Sequence, residues 1–181
     1  MLQVIQASSA DSIDALTRAE LIFLDMENSL VVPDSQAIGG ESKWVSRPEV
    51  LGFLEQYGNK VGESHKKGLV VFSDWGRNQL ENVIHTSGWE EYLRLVFGSD
   101  HLYRRSFYDA EGSRTRMSLI KVLGKAFGHF IPKIHNPVFI GVGSDLNKAS
   151  CEEYRVTLLE LPNEPTNKPL EDRFSFRSLY R

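Results

Sequence analysis

Three short apolar runs in this 181-residue chain each stop at polar residues. Leu-Ile-Phe-Leu at 21–24 runs into Asp25. Gly-Leu-Val-Val-Phe at 68–72 runs into Ser73. Pro-Val-Phe-Ile-Gly-Val at 137–142 runs into Gly143-Ser144-Asp145. One such ending means little, but three at one sheet edge make a site. Asp25 and Glu27 add a second signal. Residues two apart on an extended chain face the same way. Paired carboxyls so placed suit nucleophilic and general acid–base work.

The elements needed to position these groups are visible as patterns. Continuous apolar runs fit strands buried on both faces of a parallel sheet. Residues 156–161 supply a fourth run, and 94–97 a shorter one stopped by Gly98-Ser99-Asp100. Helical patterns lie between them. Val50, Leu51, Phe53, Leu54 and Tyr57 follow Pro48 at helical spacing, and Gly58 ends that helix. Residues 78–87 carry Leu80, Val83 and Ile84 before Gly88. Residues 115–127 put Met117, Ile120, Leu123 and Phe127 on one face. Residues 147–154 form a weaker helix. The alternation predicts an α/β domain with a mostly parallel central sheet and helices on both faces. Ligands in such sheets sit beyond the carboxyl ends of the strands. Residues 32–47 fit no helix; Pro33, Asp34, Gly39 and Gly40 mark turns, so this stretch reads as a flap or irregular hairpin. The expected organisation is an N-terminal extension at 1–20, the α/β domain at 21–161 and an extended tail at 162–181.

Asp25-Met26-Glu27-Asn28-Ser29-Leu30, after Leu-Ile-Phe-Leu, resembles the first motif of the haloacid dehalogenase superfamily. Motif order covers about residues 21–161. The resemblance implies a three-layer Rossmann-like domain and a Mg²⁺-dependent phosphatase or related hydrolase. Asp25 would be the nucleophile, forming an aspartyl-phosphate, and Glu27 the general acid and base. Ser73 is similar to the second motif, a phosphate-binding Ser or Thr. Ser73-Asp74-Trp75-Gly76-Arg77 also resembles a subgroup that includes domains of multidomain RNA-repair proteins, with Gly76 as an extra residue. That likeness puts Asp74 and Arg77 beside the substrate. For the third-motif cation Arg116 fits best, since it lies four residues before Ile120 and eleven before Phe127. Lys121 is the alternative, about 100° round the helix from Ile120. Asp145 matches the fourth, metal-binding motif, so the metal set would be Asp25, Glu27 and Asp145. No stretch is long enough for a separate cap domain, so the site should be open.

Two departures from the family pattern bear on activity. Glu27 replaces the usual second Asp and reaches one methylene further; misplacing a catalytic group by about 1 Å costs roughly a hundredfold in rate. Val142 stands where many members carry an acid. The alternative reading is therefore a catalytically impaired binding or regulatory module on the same scaffold.

Each residue also has a purely structural use. Asp25 and Asp145 are residue types that cap helices, as is Ser73. Glu27 is of a type found on exposed loops, and Arg116 of a type found in solvated ion pairs. The five histidines have no metal-ligand spacing. Tryptophans more often serve a core than a ligand; Trp75, two residues past Ser73, is the one to watch. Cys151 reads as a small buried hydrophobe. The tail from Arg173 to Arg181 interleaves Arg with Phe and Tyr, which suits single-stranded nucleic acid; docking on its own domain or on a partner is the favoured reading.

Composition sets the outer limits. The net charge of −3 predicts no global field that captures nucleic acid, so any such contact would be local. A single cysteine allows no internal disulfide. No basic, apolar leader and no membrane-length apolar run is present, so a cytoplasmic protein without membrane contact is expected. The substrate class and the oligomeric state are not encoded in any of these features.

Overall fold

Strand β2 (Leu21–Asp25) is buried at every residue because it lies inside a sheet. Strand β5 (Gly68–Phe72) pairs along one side, with Asp25 level with Phe72. Strand β7 (Val138–Val142) pairs along the other, with Leu24 level with Ile140. Both neighbours run parallel to β2. A strand so enclosed has no polar face, which is why its sequence is a continuous apolar run. The computed structural model describes residues 1–7, 9–27, 29–33, 44–47, 50–58, 68–73, 75–93, 95–98 and 135–161. Asp74, Arg116, Lys121, the expected helix at 115–127 and the tail at 162–181 lie outside the described residues.

Three more strands extend the sheet. Strand β6 (Leu95–Phe97) adds beyond β5. Strand β8 (Thr157–Leu161) adds beyond β7, and β1 (Val4–Gln6) closes that side. The six strands run in the order β1-β8-β7-β2-β5-β6, all parallel. The α/β class and parallel sheet predicted from the alternation are thus present. Between β2 and the next helix, β3 (Val31–Pro33) and β4 (Trp44–Ser46) pair antiparallel at the two ends of the stretch expected to be a flap or irregular hairpin; residues 34–43 lie outside the described residues.

Among the described residues the helices are α1 (Ala10–Arg18), α2 (Val50–Tyr57), α3 (Arg77–Ser87) and α4 (Asp145–Tyr154). Gly88, at φ 70°, stops α3 in the left-handed region where a side chain would be strained. Buried apolar residues form two clusters that alternate along the strands. Ile22, Leu24, Val71, Ile140 and Leu159 join residues of α1, α2 and α3 in one. Phe23, Val70, Phe139 and Leu158 join Cys151 of α4 in the other. Each buried side chain of this size contributes about 1.5–3 kcal/mol. Burial pushes the Cys151 thiol up to about 12, so it serves packing and not nucleophilic chemistry.

The sequence reading needs two corrections here. Residues 1–20 are not set apart as an extension: β1 joins the sheet and Leu16 of α1 is fully buried in the core. Short strands such as β1 carry too few residues to show a pattern. Helix α4 also begins earlier than expected, at Asp145, and its cap is Ser144, whose hydroxyl accepts the Asn147 N–H. Among the described residues no helix is long and apolar enough to cross a membrane.

Candidate functional site

The strand order puts a topological switch point between β7 and β2. From β2 the chain moves outward to β5 and β6 on one side; β7 and β8 lie on the other. Connections leaving β2 and β7 diverge, and their carboxyl ends leave the kind of gap where α/β sheets hold ligands. Asp25 ends β2 at this rim and is 8% exposed.

Pairing with β5 continues one residue past Asp25, as the Met26 N–H donates to the Phe72 carbonyl at 2.8 Å. The chain then turns sharply. The Met26 carbonyl accepts from both Leu30 N and Val31 N at 3.1 Å. Met26 and Leu30 anchor that turn because both are fully buried. The turn holds Glu27 at the rim with 8% exposure.

Ser73 meets it there. The Ser73 hydroxyl donates to Glu27 Oε1 at 2.9 Å and accepts the Trp75 N–H at 3.0 Å. Its own N–H donates to the Phe97 carbonyl at 2.9 Å, which fixes it to β6. Ser73 is therefore not the cap of α3; Gly76 occupies that position. Among the described residues Glu27 Oε2 and Ser29 Oγ are buried with no hydrogen-bond partner. A buried acceptor left this way is costly unless a ligand meets it. Ser73→Ala should leave both Glu27 oxygens short of partners and lower stability by about 1–3 kcal/mol, read as a reduced urea midpoint.

Asp145 comes to the same sheet edge by a different route. It is the first residue of α4, and its side chain is exposed. The turn carrying it is tightly fixed. Asn147 Nδ2 donates to the Val142 carbonyl at 2.8 Å. The Glu160 carboxylate packs where a Cβ of Gly143 would stand, so a larger residue there would have to displace it. Lys148 Nζ lies 3.0 Å from Glu160 Oε1, and Gln6 Nε2 donates to Glu160 Oε2 at 2.7 Å. The structure thus joins Ser73 to Glu27, with Asp25 buried two residues earlier at the end of β2, and leaves the Asp145 side chain in solvent. Among the described residues no three His, Cys, Asp or Glu side chains form a group that could hold a metal ion. Arg77 opens α3 four residues after Ser73; its backbone alone is described.

Sequence reasoning missed three residues. Arg47 is 4% exposed, and its N–H donates to the Leu30 carbonyl at 3.1 Å, in the turn that carries Glu27. Among the described residues it is the one buried cation, and Asp25 and Glu27 are the buried acids. Its position just before Pro48 gave no hint of burial. Trp44 of β4 packs against Trp75, with ring centroids 4.9 Å apart. Glu160 lies in an apolar strand, and a charged residue there was the available signal. No protein-family model matches this chain, and neither does any curated protein.

Proposed function

We propose that this chain is a Mg²⁺-dependent phosphohydrolase of the haloacid dehalogenase type, a three-layer Rossmann-like domain with no separate cap, acting through Asp25. The observation that carries the reading is the Ser73–Glu27 hydrogen bond, which joins residues 46 apart at the rim beside Asp25. Random loop acids are exposed; here two acids and a hydroxyl share a buried edge at the carboxyl ends of adjacent parallel strands.

Each residue then has a stated task. An Asp25 oxygen attacks phosphorus, forming the aspartyl-phosphate as the bond to the leaving oxygen breaks. Glu27 gives that oxygen a proton. Glu27 next takes a proton from water as the water attacks phosphorus, and the bond to Asp25 breaks to release inorganic phosphate. The Ser73 hydroxyl orients Glu27 and lies within reach of a phosphate. Asp74 and Arg77 would contact the substrate, as the resemblance implies. Arg116, or Lys121 in its place, would balance the phosphoenzyme charge.

Two buried carboxylates, one with an oxygen lacking a partner among the described residues, suit an ion that takes its other ligands from water and substrate. Asp25 and Glu27 would hold it; Asp145, the exposed first residue of α4, would have to turn inward to complete the set. Bound there, Mg²⁺ would neutralise charge between the carboxylates and the phosphate oxygens. The direct test is hydrolysis of an aryl phosphate by the purified chain, with and without Mg²⁺.

The exposure of Asp145 favours a second reading, a binding or regulatory module on this scaffold. Calorimetric titration separates the two. Millimolar or tighter Mg²⁺ binding, lost in Asp145→Ala, is the result expected of the enzyme. Absence of binding in the parent chain supports the module.

A further inference from the structure

The chain has three tryptophans, and two of them stand apart from the third. Trp89 is 2% exposed and belongs to the core. Trp44 and Trp75 are only partly buried and face each other, with ring centroids 4.9 Å apart and planes at 60°. They arrive from separate elements. Trp44 comes from β4, and Trp75 from the loop between β5 and α3.

Their link to the rim is direct. The Trp75 N–H donates to the Ser73 hydroxyl, and that hydroxyl donates to Glu27. The backbone of one ring is therefore two hydrogen bonds from a site carboxylate. A tilted pair also cannot cover its own faces. One ring offers an edge to the other's face, and part of the remaining surface packs against the apolar core. Partial burial leaves some of that surface open to a ligand. A flat ring bonded to a phosphoryl group would use both features, since it can stack on indole while the phosphate sits at the strand ends. A saturated sugar phosphate would use the rim and leave the rings idle.

We propose that Trp44 and Trp75 form a stacking wall for the base of a nucleoside phosphate whose phosphoryl group sits at the rim of Asp25, Glu27 and Ser73. The inference rests on the phosphate-site reading above and adds a substrate class to it. A free nucleotide and the terminal nucleotide of a strand share this chemistry.

The test is binding, measured by calorimetry on the full chain with Mg²⁺ present, since two carboxylates face the phosphate at the rim. The probes are adenosine monophosphate, ribose phosphate and a short oligonucleotide with a terminal phosphate. The parent should prefer adenosine monophosphate over ribose phosphate by on the order of tenfold. Trp44→Leu and Trp75→Leu should each erase most of that preference without changing ribose phosphate affinity. Trp44→Phe, which keeps a ring, should retain it, and thermal melting identifies any variant that fails to fold. Tighter, salt-dependent binding of the oligonucleotide would assign a strand end, and equal binding a free nucleotide. Equal affinity of the parent for adenosine monophosphate and ribose phosphate overturns the wall, as does a preference that survives both Leu substitutions. The two readings fail separately. Aryl phosphate turnover without base preference overturns the wall alone; base preference without turnover overturns the enzyme and leaves the wall.

Discussion

Asp25→Asn removes Mg²⁺-dependent aryl phosphate hydrolysis, by on the order of a thousandfold or more, while the chain stays folded. The expected size follows from the task. An amide oxygen is a poor nucleophile, and deleting the attacking group in covalent catalysis eliminates nearly all of the chemical step. The substitution is close to isosteric. Asp25 is at the last position of β2, where its backbone stays level with Phe72 whatever the side chain. Steady-state rates with aryl phosphate, read beside thermal melting of parent and mutant, decide the matter. Equal rates in both would remove Asp25 from the nucleophile role. A melting point lowered by more than several degrees would place the loss in folding.

Legibility from the sequence divided along physical lines. Strand β2 and its neighbours β5 and β7 were readable because burial on both faces demands an unbroken apolar run. Their shared direction followed from the alternation with helices, and the shared rim followed from direction. The turn after Asp25 was less readable. It depends on one carbonyl, that of Met26, accepting two N–H groups, and such a choice leaves no pattern in residue types. Contacts between distant loops were not readable at all. Ser73 reaches Glu27 because β5 lies beside β2, and Trp44 of β4 meets Trp75 from a distant part of the chain. Arg47 shows the same limit. Its type predicts exposure, and only tertiary packing around Leu30 buries it.

The same packing sets the largest stability effect expected, at Phe139. This residue is fully buried in β7, next to the strand that carries Asp25. Its ring stacks on Phe72 with centroids 5.5 Å apart. The ring also leans along its own strand, so that a Cβ added to Gly141 would fall 2.5 Å from Phe139 Cζ. Since Leu24 is level with Ile140, Gly141 is the residue level with Asp25. The aromatic pair is therefore the floor under the rim. Phe139→Ala deletes a ring that its neighbours on a rigid sheet cannot fill. We expect a loss of about 3–5 kcal/mol, or roughly 6–20 °C in melting temperature. Urea unfolding should show a lower midpoint with an unchanged slope, because the folded and unfolded states expose the same surfaces as before. Phe139→Leu should cost much less, since it keeps most of the volume. A loss under about 1 kcal/mol for the Ala variant would mean that the ring is not packed as described. The rim would then lack its support, and Asp25 would have no fixed position from which to attack.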